Sequence, residues 1–532
     1  MTLSVAGLLN YAMLRLTVFV SLLALSAQAV PAPFPLEEAT VAQLQEWMTS
    51  GRYTARQITE LYLKRIEEID RRGPELRAVI EINPDATSIA DVLDTERRTK
   101  GPRGPLHGIP VLIKDNIDTA DHMQTTAGSL ALEGQPAPVD AFLVQRLRAA
   151  GVVIIGKTNL SEWANFRSTH SSSGWSGRGG QVKNPYALDR NPCGSSSGTG
   201  AAVAANLAAI GVGTETDGSI VCPSAATGLV GIKPTLGLVS RSGIVPIAHS
   251  QDTAGPMART VADAAALLTA MTGVDTADPE SARSLMHAAR DYTTSLDAGA
   301  LRGARIGVAR KQFFGYSPAA DELIERALSD INAQGATIVD PADIPTASKL
   351  DACENEVLQY EFKADVKKYL AARGASVRVH SLEELIAFND REKHREMPYF
   401  GQELFLQSQK KGPLTSAVYR AALKKCRALA REQGIDLVMR QHNLDALIAP
   451  TGSPGWTTDL VNGDHFLGAS STPAAVAGYP SISVPAGDVR GLPVGISFIG
   501  RAWSEPRLIA LAYAYEQATK HRRPPQFKAR VE

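Results

Sequence analysis

Residues 193–235 have the sequence CGSSSGTGAAVAANLAAIGVGTETDGSIVCPSAATGLVGIKPT, and this stretch decides the fold. A Ser/Gly-rich turn leads into an alanine-rich segment, Gly198–Ala209, that is typical of a buried helix. A short apolar run at 210–214 follows at once and ends in a second glycine-containing turn. Because a wholly apolar strand beside a helix indicates a sheet buried on both faces, the stretch predicts α/β layering.

The same alternation continues on both sides of this stretch. Apolar or alternating runs of strand length stand at 78–82, 109–113, 152–155, 304–308 and 446–448, and a hairpin is predicted from 481–487 and 491–500. Helical patterns stand at 41–49, 55–71, 141–150, 261–271 and 505–519. The long stretch 350–433 carries more charge and no strand signal. We therefore predict an α/β fold with a large β-sheet covered by helices on both faces and with a helical insertion at about 350–433.

Composition excludes several classes of protein. The chain has 532 residues and equal numbers of basic and acidic side chains, 55 of each, with no Lys/Arg-rich run. This balance argues against a nucleic-acid-binding protein. Four cysteines, none spaced C-x-x-C, make neither a disulfide scaffold nor a structural zinc site. We expect no metal and no cofactor, and a monomer that acts on a small-molecule or peptide substrate.

The first 29 residues have the layout of a secretory signal. Arg15 is their only charged side chain, Leu16–Leu25 is apolar, and Ala27–Ala29 has the small-x-small form of a cleavage site. Ten apolar residues are too few for a membrane span, and a buried N-terminal helix is the alternative. Synthesis could begin at Met1 or at Met13. We predict a signal peptide at 1–29, a single domain at 30–532 with no membrane span, and a periplasmic or extracellular location.

Two short motifs match nucleotide-binding and esterase patterns only formally. Gly151–Thr158 fits G-x-x-x-x-G-K-[ST], but its four middle residues are β-branched and favour a buried strand over a phosphate-binding loop. Gly194–Gly198 fits G-x-S-x-G with Ser196 as nucleophile, yet a turn sequence precedes it where that motif needs a strand. We interpret the first as a strand and the second as a helix N-terminus.

A more specific constellation consists of Lys114, Ser195 and Ser219. Lys114 ends an apolar strand, and desolvation there would make its amine neutral and able to act as a general base. Helix 198–209 advances about 18 Å and the following strand returns about 20 Å, so both serines can lie at one edge of the sheet. Two serines and a lysine at one edge could form a proton relay that activates a hydroxyl.

With these residues the chain resembles the amidase signature family. The run 193–235 resembles the family's Gly/Ser-rich signature, and GIPVLIKDNI (108–117), GKTNLSEWANF (156–166) and SQDTAGPMART (250–260) are similar to other family blocks. The resemblance spans about 35–527 and is particularly marked for the bacterial peptide amidases, which remove the C-terminal amide of peptides.

The resemblance implies a Ser–cisSer–Lys triad. Ser219 would attack the amide carbonyl to form an acyl-enzyme, Ser195 would bridge through a cis peptide bond, and Lys114 would be the neutral base. Asn165 looks like the side chain that recognises the terminal carboxamide. Val221 stands where the family often has Arg, so a cation there is not expected. The backbone amides implied to hold the oxyanion belong to Thr216, Asp217, Gly218 and Ser219.

Alternatives for the site remain open. A Ser–His–Asp scheme would pair Ser196 with one of the ten histidines, for example His249 or His442. Cys193 and Cys222 flank the two proposed serines, and although a disulfide between them is conceivable in an exported protein, we favour free thiols.

The function predicted from the sequence is a secreted serine amidase that converts C-terminal amides of peptides or amino acids to carboxylate and ammonia. Alternatives within the family are hydrolysis of aryl or fatty-acid amides and a role in a tRNA-dependent amidotransferase, which the signal and the neutral charge disfavour. A noncatalytic solute-binding protein and an NTPase are further alternatives. The preferred side chain and length of the substrate do not follow from the sequence.

Overall fold

The computed structural model describes residues 34–531. The chain divides into a short unit, Met1–Glu37, and a main unit, Glu38–Glu532. In the described part of the short unit, the Glu37 N–H donates to the Phe34 carbonyl (3.0 Å). The predicted signal segment 1–29 lies outside the described residues, so both it and the single domain at 30–532 remain predictions.

One 11-stranded mixed sheet forms the centre of the main unit. Its spatial order is β1-β3-β2-β6-β8-β7-β12-β13-β11-β9-β10, and a small hairpin, β4-β5, stands apart. The strands are β1 Val79–Ile82, β2 Pro110–Lys114, β3 Val153–Thr158, β4 Trp175–Ser176, β5 Gly180–Gln181, β6 Ile210–Glu215, β7 Val230–Lys233, β8 Thr253–Ala258, β9 Arg305–Val308, β10 Thr337–Val339, β11 Ala446–Pro450, β12 Ser481–Val489 and β13 Leu492–Ile499.

Two parallel portions of the sheet are joined through antiparallel strands. β2 is parallel to both β3 and β6, and β9 is parallel to both β10 and β11. The predicted hairpin is confirmed as β12–β13, with Ile482 opposite Phe498. Every residue of β2, β3 and β6 is buried, as expected for strands covered on both faces. The predicted α/β fold is confirmed.

Helices cover both faces and form the insertion. They are α1 Val41–Thr49, α2 Ala55–Arg65, α3 Ala86–Lys100, α4 Phe142–Ala149, α5 Ser197–Ala204, α6 Val221–Ala226, α7 Val261–Met271, α8 Pro318–Ala333, α9 Asp351–Arg373, α10 Leu382–Arg391, α11 Lys393–Glu396, α12 Glu403–Gln409, α13 Ala417–Ala430, α14 Asp436–His442, α15 Thr472–Ala477 and α16 Glu505–Thr519. Within the described residues, no helix is both long and apolar enough to cross a bilayer.

The helical insertion packs against the loop that follows β3. Phe362 of α9 stacks on Phe405 of α12 with ring centroids 5.2 Å apart, and Phe405 meets Trp163 edge-on at 5.7 Å. Phe166 also contacts Phe362, at 5.0 Å. Aromatic pairs in these geometries add to the hydrophobic stabilisation of a core. The insertion therefore supports Glu162–Asn165, a one-turn 3₁₀ segment that borders the candidate site.

Two sequence-based expectations are examined against the fold. The helix predicted at 198–209 ends at Ala204, because the chain turns at Asn206, whose φ is +59°. The formal P-loop is the strand β3, as interpreted from its β-branched residues. Its Lys157 is fully buried and donates to the Ile117 carbonyl (2.6 Å) and to Thr125 Oγ1 (2.9 Å), so its ammonium group is held within the core.

Candidate active site

Lys114, the last residue of β2, lies fully buried at the edge of the sheet. Its Nζ is 2.8 Å from Ser195 Oγ and donates to Thr214 Oγ1 at 2.9 Å. Thr214 reaches this point because β6 runs parallel to β2, and its Oγ1 also accepts from Asn116 Nδ2 (2.9 Å). Burial lowers the pKa of Lys114 to about 7, although the charges of Glu215 and Asp252 oppose this shift.

Ser195 is held in a tightly packed turn before α5. The Gly194–Ser195 peptide bond is cis in the structure. Ser195 is fully buried, and its carbonyl accepts from the Ser161 N–H (3.1 Å). A Cβ on Gly194 would collide with Ser161 Oγ, so the close approach of these two segments requires glycine. The structure thus brings Ser195 and Lys114 together.

Ser219 lies in the second turn, between β6 and α6. Its carbonyl accepts from the Ser196 N–H (3.2 Å), which joins the two serine turns directly. Ser219 is 7% exposed, whereas Ser195 and Lys114 are wholly enclosed, and Ser219 lines the cleft described below. Of the three predicted triad residues, Ser219 is therefore the one that a substrate can reach.

The Glu215 carboxylate organises the turn that carries Ser219. Its Oε1 accepts from the Gly218 N–H (2.9 Å), and its Oε2 accepts from the N–H groups of Ile220 (2.7 Å) and Val221 (3.0 Å). Burial raises the pKa of Glu215, against the opposing effect of the Lys233 ammonium and these N–H groups. Sequence analysis missed this role. The available signal was an acidic residue that ends a buried strand just before a glycine turn.

The predicted oxyanion donors differ in their availability. The Gly218 N–H is already engaged by Glu215. Among the described residues no hydrogen-bond partner is found for the N–H groups of Asp217 and Ser219. Thr216 is anchored by its side chain, whose Oγ1 donates to Asp252 Oδ1 (2.6 Å). Burial raises the pKa of Asp252 to about 7.

A cleft of about 690 Å³ opens in front of Ser219. This volume lies within the range of about 300–1,000 Å³ that is typical of small-molecule sites. Asn165 lines the cleft; its Nδ2 donates to Ser173 Oγ (3.2 Å), and its Oδ1 is buried without a hydrogen-bond partner among the described residues. The cleft thus has an amide acceptor and a serine hydroxyl on its walls.

The backbone that presents Asn165 has an uncommon conformation. Trp163, Ala164 and Asn165 have φ values of +50°, +53° and +70°, in the left-handed region that costs most residues about 1–3 kcal/mol. The aromatic packing of Trp163 against the helical insertion holds this turn in place. Sequence periodicity carries no signal for such a turn.

A disulfide joins the two serine turns. Cys193 and Cys222 are bonded, with their Cα atoms 6.0 Å apart, and both line the cleft. A second disulfide joins Cys353 of α9 to Cys426 of α13. The expectation of free thiols is therefore wrong, because the chain reversal that brings Ser195 near Ser219 also brings these flanking residues within bonding distance.

The alternative Ser–His–Asp site finds no support in the geometry. Ser196 is fully buried, and its hydroxyl both donates to the Thr214 carbonyl (3.1 Å) and accepts from the Thr214 N–H (3.2 Å). No histidine is among the described residues that line the cleft. His249 instead pairs with Asp365 (2.8 Å) and lies near Glu361, a group that has the spacing of a metal site.

Comparison with known proteins identifies the class of enzyme. The family model described as Amidase matches residues 57–509. This match, on a large mixed sheet of the kind described above, shows that the chain is an amidase, a hydrolase of amide C–N bonds. It belongs to the amidase family, the amidase signature enzymes.

Known relatives narrow the likeness. The chain is similar to the native peptide amidase of Stenotrophomonas maltophilia, with 52% identity and a TM-score of 0.89 over 93% of this chain and 99% or more of that one. It is 41% identical to a probable amidase of Arabidopsis thaliana over 93% of each chain. It is also 35% identical to one of the component chains of the glutamyl-tRNA(Gln) amidotransferase of Halorhodospira halophila, over 92% of this chain and 99% of that protein.

Proposed function

We propose that this amidase is exported and hydrolyses the C-terminal amide of peptides or amino acids, releasing the free carboxylate and ammonia. The observation that carries the proposal is the buried contact of 2.8 Å between Lys114 Nζ and Ser195 Oγ, directly behind the turn of Ser219. A lysine whose pKa is about 7 supplies a neutral amine at physiological pH. The likeness to a peptide amidase supports the choice of substrate.

In this proposal the reaction proceeds through an acyl-enzyme. Neutral Lys114 takes the proton of Ser195, and Ser195 takes that of Ser219, whose Oγ attacks the amide carbonyl. The same relay, run in reverse, protonates the departing ammonia. Water then attacks the ester of Ser219 and is deprotonated along the same path, which restores the hydroxyl.

Backbone donors would stabilise the negative charge that develops on the carbonyl oxygen. The N–H groups of Asp217 and Ser219 have no partner among the described residues and lie in the turn that Glu215 fixes. Fixed donors of this kind stabilise an oxyanion without reorganisation, and one such donor is worth about 3–4 kcal/mol. Of the implied donors, Thr216 and Gly218 would act only as far as the turn leaves their N–H groups free.

Recognition of the primary amide is assigned to Asn165. Its Oδ1 has no partner among the described residues and can accept a hydrogen bond from the substrate carboxamide NH₂. A carboxylate offers no such donor, and its charge would face an amide oxygen. The same contact therefore favours the substrate amide over the carboxylate product.

Product analysis tests this function. Purified enzyme is incubated with a blocked peptide amide, and ammonia release is compared with the appearance of new amino groups from internal peptide bonds. We expect the first without the second, and slower hydrolysis of aryl and fatty-acid amides. Ser219→Ala should abolish turnover and Lys114→Ala should reduce it to near background, while Ser196→Ala retains more activity than either. Near-normal turnover by Ser219→Ala would overturn the assignment.

Two controls separate this mechanism from its alternatives. His249→Ala leaves the relay intact, so its activity should survive, whereas a Ser–His–Asp mechanism that uses this histidine predicts loss. Incubation with a chelator should leave the rate unchanged. For export, the full chain is expressed with its own N-terminus and the mature protein is sequenced. A periplasmic or secreted product that begins at residue 30 agrees with the proposal, and an uncleaved protein retained in the cytoplasm contradicts it.

A further inference from the structure

The walls of the cleft carry acidic side chains without basic ones. Asp217, Asp351 and Asp464 all line it together with Ser219. No Lys, Arg or His is present among the described residues that line the same cleft. The uncompensated charges of these carboxylates create a negative potential where the substrate binds, because low-dielectric walls focus the field of charges of one sign.

The three carboxylates differ in how far the protein already satisfies them. Asp464 is engaged: it accepts from the Ser173 N–H (2.8 Å) and from Trp456 Nε1 (3.0 Å). Asp217 is half engaged: its Oδ2 accepts from Thr472 Oγ1 (2.7 Å), while its Oδ1 is buried without a partner among the described residues. An unpaired buried carboxylate oxygen inside a binding cleft is an acceptor left open for a ligand.

Asp351 is the carboxylate that is free to meet a ligand. It is the first residue of α9, is exposed, and makes neither a side-chain hydrogen bond nor an ion pair with another described residue. Burial raises the pKa of Asp217, and the nearby charge of Asp351 raises it further. Asp351 and Asp217 therefore lie close enough to act on the same bound group.

Aromatic side chains stand beside these carboxylates. Trp456 and Phe466 both line the cleft and meet edge-on with their ring centroids 5.7 Å apart. The Trp456 indole is held in orientation by Asp464, whereas the Phe466 ring is half exposed. A ring face beside a carboxylate is the combination that attracts an ammonium or guanidinium group, since both contribute a favourable electrostatic interaction.

We infer that Asp351 determines specificity, favouring amide substrates that carry an ammonium or guanidinium group near the scissile amide and disfavouring anionic ones. This inference rests on the proposed function and deepens it by naming the charge of the substrate. Asp351 acts on binding and not on the chemistry, since the relay and the oxyanion donors belong to other residues. The negative field also acts against the carboxylate product, which would otherwise occupy the same place.

The positive group can come from two sources, and matched substrates distinguish them. A basic side chain at the amidated residue is tested by comparing Ac-Ala-Lys-NH₂ with Ac-Ala-Nle-NH₂, which differ in the charged amine. A free N-terminus is tested by comparing Ala-Leu-NH₂ with Ac-Ala-Leu-NH₂. Ac-Ala-Glu-NH₂ supplies the anionic arm.

The experiment measures kcat/KM for these five amides with the wild-type enzyme and with Asp351→Asn. The wild type should prefer at least one cationic substrate over its neutral partner and should process the anionic one most slowly. Asp351→Asn should reduce the cationic preference about threefold to fivefold, the range for an exposed ion pair, while kcat for the neutral Ac-Ala-Nle-NH₂ stays unchanged. Asp351→Lys should reverse the order.

Glu46→Gln is the matched control. Glu46 is exposed on α1 and does not line the cleft, so its loss changes the net charge by the same amount without changing the preference. The preference should also shrink as salt is raised from about 0.05 to 0.5 M, since exposed charges are screened.

Two outcomes separate failure of this inference from failure of the proposed function. Equal kcat/KM for neutral, cationic and anionic peptide amides, unchanged in Asp351→Asn, overturns the inference and leaves peptide-amide hydrolysis standing. If no peptide amide is hydrolysed, the proposed function falls, and binding is then measured by calorimetry on Ser219→Ala with lysinamide and norleucinamide. Tighter binding of lysinamide that is lost in the double variant Ser219→Ala/Asp351→Asn keeps the inference, and equal binding overturns it.

Discussion

The burial of Lys114 predicts the shape of the pH dependence of kcat/KM. Desolvation lowers the pKa of this lysine from 10.5 to about 7. About a tenth of the side chain is then neutral at pH 6 and about nine-tenths at pH 8, so kcat/KM should rise about tenfold over this interval and level off by pH 9. A lysine of ordinary pKa would give a rise of about 100-fold from pH 6 to 8 and about tenfold more from pH 8 to 9.

The assay is the initial rate of ammonia release from a neutral blocked peptide amide, at substrate concentrations well below KM and at constant ionic strength. Asp252→Asn is the informative variant. The negative charge of Asp252 raises the pKa of Lys114, so its removal should move the midpoint to lower pH. Glu46→Gln, far from the cleft, should leave the midpoint unchanged. A rate that keeps rising tenfold per pH unit up to pH 10, or one independent of pH between 6 and 9, contradicts the role of a desolvated lysine base.

Three further predictions concern stability and the serine turns. Lys114→Met should be inactive yet more stable at pH 7 by about 1–3 kcal/mol in urea unfolding: the unfolded lysine binds a proton that the folded one has lost, wild-type stability therefore rises with pH between about 7 and 10.5, and the gain should vanish above this range. Glu215→Gln replaces an acceptor of backbone N–H groups by a group that also donates, so kcat should fall about 10- to 100-fold with little change in KM; an unchanged kcat would show that the turn holds its shape unaided. Cys222→Ser opens the link to Cys193, which is 29 residues away, and should lower the free energy of unfolding by about 3–4 kcal/mol under oxidising conditions, whereas under reducing conditions wild type and variant should become equal.

Local pattern was sufficient for the sheet and the catalytic edge. The buried runs that became β2, β3 and β6 announce themselves by composition, since strands covered on both faces are predominantly apolar. Lys114 and the two serine turns lie at or near the ends of such strands, so their meeting at one sheet edge was predictable. The early end of α5 was not, because Asn206 in a left-handed turn breaks an otherwise uniform alanine-rich segment.

What sequence reasoning missed depends on contacts between distant parts of the chain. The disulfide between Cys193 and Cys222 and the hydrogen bonds of Glu215 depend on how the turns fold back, which spacing alone does not determine. The cleft walls at Asp351 and Trp456 lie more than a hundred residues from Ser219, in segments with no periodic signal for a shared surface. Such surfaces emerge only from tertiary packing.

The order of residues along the chain also separates reaction from selection. The relay and its supporting turn are encoded between Lys114 and Asp252, whereas much of the wall that faces the substrate comes from Gln312, Asp351 and the segment 456–473. A chimaera that keeps the first portion and receives the second from another member of the family would exchange substrate preference without rewriting the chemistry. Gene duplication followed by drift in the later portion offers the same route in nature, and it makes the enzyme a convenient starting scaffold for directed evolution of amide selectivity.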